Sequence, residues 1–464
     1  MLWGSNMRTT KILLRTMCVS FVAIAINAYA GPPRDLGRQT LGPMDGWAAS
    51  GTGVTGGANA VPTQIYTVTN RAELIAALNN GVTSSTSPST PSNEPKIIYL
   101  KGTIDGNVDD ENHPLRCEDY YRNGYTLEAF LAAYDPAVWG RTNPTGDLEA
   151  ARVASQQAQQ ARVRIRVGSN TTIVGLDKKA RMRGVWLDLR GTANVLDSRR
   201  NIIIRNITFQ DTHDCFPQWS PTDGTLGSWN AQYDSVSLRD TNNVWIDHNT
   251  FEDRDTADED QPHHFGVLYQ VHDGLLDITN ASDLVTVSWN RFRHHDKMML
   301  IGSSDSATAD RGKLRVTLHH NLFDGIGQRA PRVRYGQVHV YNNYYKIERL
   351  PSYQYSWGVG IESAIYAENN FFKTDKTISP ADFISRLNGT AIYAAGNQVN
   401  GTPPKNVVDI VAAYNAANDP DLATSVGWVP TFVEGLTSAK SVPADVQSSA
   451  GPFVWGAHAC GHRD

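Results

Sequence analysis

Three acids and three bases stand beside short apolar runs in this chain. Asp234 precedes Ser235-Val236-Ser237-Leu238, and Asp273 precedes Gly274-Leu275-Leu276-Asp277-Ile278. Lys297 precedes Met298-Met299-Leu300-Ile301, and Arg329 opens Arg329-Ala330-Pro331-Arg332-Val333-Arg334. Hard oxygen ligands suit calcium, and Asp234, Asp273 and Asp277 supply them. Gln232, two residues before Asp234, adds an amide oxygen on the same face of an extended segment. Lys297, Arg329 and Arg334 close together repel one another unless a polyanion or its carboxylate occupies the site. The chemistry this points to is a divalent metal beside a proton-abstracting base, acting on an acidic substrate. Two geometric conditions follow. Residues four apart on a straight strand are about 13 Å apart, so Asp273 and Asp277 share an ion only if the segment bends, and Gly274 permits the bend. Arg329 and Arg334 are an odd five apart, so they face the same way only if Pro331 breaks the alternation.

The elements that must position these groups repeat. A β-branched or aromatic strand runs into Asn, with an apolar or aromatic residue within two positions. The pattern occurs at Asn206, Asn249, Asn290, Asn321, Asn343, Asn370 and Asn397, at intervals of 43, 41, 31, 22, 27 and 27 residues. A short repeat with period-2 strands and no intervening helices predicts a parallel β-helix, one coil per repeat, all-β in class. Asn suits the bends because it tolerates the left-handed conformation, and stacked Asn amides can form a ladder. An ordinary β-sandwich would show shorter, uneven intervals without matching flanks. Asp234, Asp273 and Arg329 precede their Asn by 15, 17 and 14 residues, and Lys297 by 24, its surplus being the polar loop 302–313. The charges are therefore expected at nearly one place on successive coils, in a column of about 15 Å at about 4.8 Å per coil.

Asn70 with Glu73 predicts an N-capped helix over 70–78 in front of the stack. A Ser/Thr/Pro-rich loop spans 83–95, Lys96–Leu100 reads as an early strand, and Ile173-Val174-Gly175 resumes the stack. Residues 105–162 form an excursion with helices near 126–134 and 148–161. The Gly-rich stretch 51–57 lacks a following phosphate-binding lysine and helix and reads as a loop. Beyond 400 a helix is expected over Val407–Tyr414, with a Pro-punctuated tail packed on the last coils. Residues 1–30 read as an export signal: Arg8, Lys11 and Arg15, an apolar Met17–Ile26, then Ala28-Tyr29-Ala30. The rest, 31–464, is expected to be one secreted domain and a monomer. Losing the three leader cations takes the net charge from −5 to −8. That excludes nucleic-acid binding by bulk charge, and no later run is long and apolar enough to span a membrane. Cys117, Cys215 and Cys460 leave one thiol over, and the sequence does not choose the pair. The pairs His263-His264, His294-His295 and His319-His320 point to opposite faces of a strand and read as hydrogen-bonded or solvated rather than as metal ligands.

Val244-Trp245-Ile246-Asp247-His248, Asp273-Gly274-Leu275-Leu276-Asp277 and the Arg329-x-Pro331-x-x-Arg334 signature resemble the pectate lyases of polysaccharide lyase family one, over roughly 61–451. The resemblance implies a right-handed parallel β-helix and calcium-dependent β-elimination of polygalacturonate. By matching motif it implies Asp234, Asp273 and Asp277 as calcium ligands, Arg329 as the base, and Lys297 and Arg334 as binders of substrate carboxylate. Asp247 and His248, on a different strand from the column, read as a structural hydrogen-bonded pair. Gln232 departs from members with an acid there, which implies weaker calcium binding. An alkaline optimum is expected, since the base is an arginine. The readings left open are a calcium-independent pectin lyase, which should lack the acidic ligands; a polygalacturonase, which needs clustered carboxylates without the arginine signature; and a non-catalytic polysaccharide binder.

Overall fold

A computed structural model describes residues 35–82, 91–191, 199–347, 353–375, 377–401 and 407–453. The leader, most of the Ser/Thr/Pro-rich loop and Cys460 lie outside the described residues. Asp35–Asp464 forms one compact unit. Its strands make three parallel sheets of ten, nine and eight strands, and each coil contributes one strand to each sheet. The chain is thus a parallel β-helix. Among the described residues no helix is long and apolar enough to cross a membrane.

The repeat works through two adjacent residues at the bend between the ten- and nine-stranded sheets. The side-chain oxygen of Asn290 accepts from the backbone N–H of Asn249 at 2.8 Å and from its amide at 3.1 Å. The same pairing continues through Asn321, Asn343, Asn370 and Asn397. All of these are buried. The left-handed residue is the one before: His248, Trp289, His320, Asn342 and Asn369 all have φ near +50°. Asn206 corrects the expected repeat. It pairs in register with His248, so it fills the left-handed position, and Ile207 takes the ladder place, its N–H donating to Asn249. Two residues beyond the ladder, Phe209, Phe251, Phe292, Phe323, Tyr345 and Phe372 stack inside the coil, with ring centroids 4.4–5.5 Å apart. Each such pair contributes about 0.5–1.5 kcal/mol beyond the area it buries.

The eight-stranded sheet borders the charged residues and holds Asp277. Its strands are β1 Arg164–Arg166, β2 Trp186–Arg190, β3 Val236–Arg239, β4 Leu276–Thr279, β5 Leu300–Ile301, β6 Arg332–Val333, β7 Trp357–Gly360 and β8 Ile384–Leu387, stacked in chain order. Helix α1, Arg71–Leu78, is capped by Asn70 and packs on the first coil. The excursion holds α2 Leu127–Ala133, a short α3 Pro136–Trp139 and α4 Asp147–Val163. It buries its own aromatic core, with Tyr125 and Phe130 against Phe216, Trp229 and Tyr269. A Cys117–Cys215 disulfide ties it to the stack across 98 residues. Helix α5, Ile410–Ala417, joins the main core at the stack's end beside Phe383. The tail starts on the last coils, as expected, where Ala423 exchanges backbone hydrogen bonds with Thr390 and Ile392. It then leaves them, and helix α6, Val442–Ser449, packs on Leu322 and Tyr344 of the middle coils. The chain then reaches back, and the N–H of Phe453 donates to Asn206. The apolar Val442, Val446 and Ala450 find their matching surface there.

Candidate active site

The charged residues gather where the nine-stranded sheet turns into the eight-stranded one, but not in the expected single column. Val236 pairs with Leu276, which sets Asp234 opposite Gly274 and leaves Asp273 one residue earlier. Lys297 ends a strand of the nine-stranded sheet opposite Gln328, so Arg329 lies one place beyond it. Arg329 sits at φ +61°, and the following Ala330–Pro331 peptide is cis. Bends, rather than identical register, bring these groups to one corner. The aligned column is Asp188, Ser237, Asp277, Leu300 and Arg332.

The segment does turn at Gly274. Asp273 and Gly274 lie outside β4, and the N–H groups of Leu275 and Leu276 both donate to the Met298 carbonyl. The N–H of Gly274 donates to Asp234 Oδ1 at 3.0 Å. A Cβ at position 274 would stand 2.7 Å from Asp277 Oδ1 and 2.9 Å from Asp234 Oδ1. Two carboxylates therefore converge over one bare backbone position. Asp234 also accepts from the Ser237 hydroxyl, which in turn takes the Trp186 indole N–H at 2.8 Å. Leu300 N–H donates to Asp277 Oδ1 at 2.9 Å.

Burial, then the charges of Asp277 and Asp273, push the Asp234 carboxyl well above the usual range. Burial and Asp273 push Asp277 up to about 7, against the pull of the Leu300 N–H and the Arg329 charge. Carboxylates crowded like this lack a cation, and hard oxygen donors at a bend fit calcium. Three tighter groupings of potential ligands occur among the described residues: Cys117–His213–Cys215, Asp109–Glu111–His113 and Asp211–Asp253–His272. The first holds the disulfide, and Asp211 already accepts from three backbone N–H groups. The aspartate triad is not among these tight groupings, so Asp234 and Asp277 form the converged pair and Asp273 stands at its edge. Gln232 is exposed and outside any strand, its N–H donating to Asp214.

The cations divide. Arg334 is largely buried, with Nε 2.6 Å from Asp305 Oδ1 and Nη1 3.0 Å from the Gly302 carbonyl. Its charge is already matched by the 302–313 loop. Lys297 has no hydrogen-bond or ion-pair partner among the described residues. Arg329 lies by the Tyr355 hydroxyl, with a buried Nε that has no partner. Arg332, whose Nε is likewise buried and unpartnered, joins them. Asp247 and His248 lie elsewhere, at the bend of the ten-stranded sheet. His248 Nδ1 is 2.7 Å from Asp247 Oδ2, and Arg205 and Ser288 also donate to that carboxylate.

Three supporting residues had no sequence signal: Ser237, Trp186 and Asp305; a fourth, His295, belongs to a pair read as hydrogen-bonded or solvated. His294 is exposed and His295 buried, on opposite faces of one strand. Burial alone would lower the His295 pKa, but Asp253 outweighs it and holds it up at about 9. Its Nε2 lies 2.9 Å from the Asp273 carbonyl and fixes the backbone of a candidate ligand.

The fold and site together define a β-helix protein with a cation-and-anion site on one sheet face. A family model described as pectate lyase matches residues 140–446. A pectate lyase of Bacillus subtilis is 43% identical over 441 residues, 94% of this chain and 98% of the relative. Pectate lyase E of Dickeya dadantii is 35% identical, covering 86% and 84%. A solved pectate lyase bound to hexasaccharide is 44% identical with a TM-score of 0.81, covering 90% of this chain and 98% of its own. The chain belongs to the pectate lyase family and is an enzyme of that class.

Proposed function

We propose that this is a secreted, monomeric, calcium-dependent lyase that cleaves α-1,4-linked polygalacturonate by β-elimination, with Arg329 as the base. The observation that carries it is the pair Asp234 and Asp277 converging over Gly274 beside Lys297, Arg329 and Arg332, none of which has an ion-pair partner among the described residues. Bound calcium would be held by Asp234 and Asp277, with Asp273 at the edge, and would stabilise charge on the substrate carboxylate as the C5 proton leaves. Lys297 and Arg332 add positive potential where that charge develops. Arg329 takes the C5 proton as the C4–O4 bond breaks, leaving a 4,5-unsaturated end. Its buried Nε has no hydrogen-bond partner among the described residues, which supports this role. Arg334 binds substrate carboxylate only by exchanging Asp305 for it. The disulfide supports an oxidising, extracytoplasmic destination.

The test follows unsaturated-product absorbance on polygalacturonate with calcium and then with chelator. Product should form at alkaline pH and stop on chelation. Product that survives chelation, or an optimum below pH 6, overturns the reading. Arg329→Lys should cut kcat by about 10²–10⁴ with an unchanged melting temperature.

A further inference from the structure

The most unusual feature outside the site is a row of arginines on the same sheet face, on the coils before the aspartates. Arg164 and Arg166 of β1, Arg190 of β2 and Arg239 of β3 all point outward. Arg166 pairs in register with Asp188, and Arg190 with Arg239. None of the four guanidiniums donates a hydrogen bond among the described residues, and the Nε of each is buried without a partner. Several arginines on other faces are matched, as Arg183 is by Asp105, Arg311 by Glu362 and Arg315 by Asp283. A row of four like charges with one carboxylate among them is costly, and more conspicuous in a chain of net charge −5.

One anion stands among them. Asp188 is fully buried, and neither carboxylate oxygen has a hydrogen-bond partner. Its nearest cation contact is Arg190 Nε at 3.5 Å. Arg164 lies over Trp186, 5.6 Å from the ring centroid, and Trp186 stacks on Tyr233 to form a floor against α4. One buried carboxylate cannot neutralise four guanidiniums, but it can hold them turned toward one line. The row is continuous with the site, because Arg239 acts electrostatically on both Asp234 and Asp277.

We infer that β1 to β3 form a second stretch of the substrate groove, in which Arg164, Arg166, Arg190 and Arg239 bind carboxylates of uronate residues distant from the scissile bond. The inference rests on the proposed polyuronate substrate. Arginine forks grip carboxylates bidentately. Coils about 4.8 Å apart offer a cation row to a polymer with one carboxylate per sugar. From β1 to β6 the groove spans about 24 Å, with the aspartates flanked by cations on both sides.

The experiment measures kcat/KM on oligogalacturonates of increasing length for the full-length wild type and the double variant Arg166→Gln/Arg190→Gln. The wild type should gain with length beyond the trimer. The double variant should lose about tenfold on a decamer, mainly through KM, so that its profile flattens at a shorter length. Arg166→Lys/Arg190→Lys, which keeps the charge, should recover most of the loss. If the Gln variant loses its cooperative melt, Arg239→Gln alone serves, with the same flattening expected. Identical length profiles for wild type and Gln variant overturn the inference alone. A wild type that fails to cleave polygalacturonate overturns the functional reading and this inference with it.

Discussion

Gly274 is where the site is most sensitive to a single atom. Its missing Cβ leaves the space into which Asp234 and Asp277 point, 2.9 and 2.7 Å from where that carbon would be. Gly274→Ala should therefore weaken calcium binding by about 10–100-fold, read by titration. Unchanged affinity would place the ion elsewhere. Asp247 offers a different test. Burial would raise its carboxyl, but His248 and Arg205 outweigh that and hold it at about 2. A folded value below the unfolded one, near 3.9, stabilises the protein at all higher pH. That contribution disappears as pH falls from about 4 toward 2. Asp247→Asn should cost about 3–5 kcal/mol at pH 7 and flatten the acid limb of a melting-temperature profile. A variant with the parent's acid limb would assign that limb to other carboxylates. Much of this scale was legible in the sequence: the aspartates, the bend at Gly274 and the irregularity at Pro331 follow from residue type and strand parity. Asp305 was not, because its pairing with Arg334 joins a surface loop to a strand 29 residues on.

Each coil is built from a small set of bend residues repeated in register. Asn321 is wholly buried and makes four side-chain hydrogen bonds, accepting twice from Asn290 and donating to Val287 and Asn343. Removing it leaves buried donors and acceptors unpaired at about 1–3 kcal/mol each. Asn321→Ala should therefore lower stability by about 3 kcal/mol or more in thermal unfolding, with loss of cooperativity if coils melt separately. A change under about 1 kcal/mol would mean water replaces the ladder. The repeat was visible because Asn and the aromatic two residues later recur together. Its phase was not wholly visible. Asn206 matched the pattern, yet Asn serves both the ladder and the left-handed place before it, and only strand register separates the two roles.

At the scale of the molecule, the stack places acids and bases on one face and leaves helices and tail to close the rest. Without a cation, the Asp277 carboxyl sits at about 7 and that of Asp234 well above its ordinary value. Both exceed the unfolded value, so the folded state holds more protons and stability falls as pH rises from about 4 to about 7. Calcium bound as proposed would remove that penalty. The melting-temperature gain from calcium over chelator should grow between pH 5 and pH 8, and an equal gain at both would detach the ion from these residues. The tail's return to the middle coils and the disulfide partner of Cys117 both depend on contacts far apart in the chain. What the sequence alone determined was the coil: strand period, bend residues and interior aromatics are local, and each repeat restates them. It also supplied the residues proposed to react, since acids and bases beside apolar runs announce themselves by type. What only the tertiary structure decided was which of them meet. The offset of one residue between Asp273 and Asp234, the capture of Arg334 by Asp305 and the row of four arginines around one carboxylate on β1 to β3 arise from stacking coils of unequal length. Loops of different size leave the strand register intact while shifting the residues at its edge, and no single repeat records that shift.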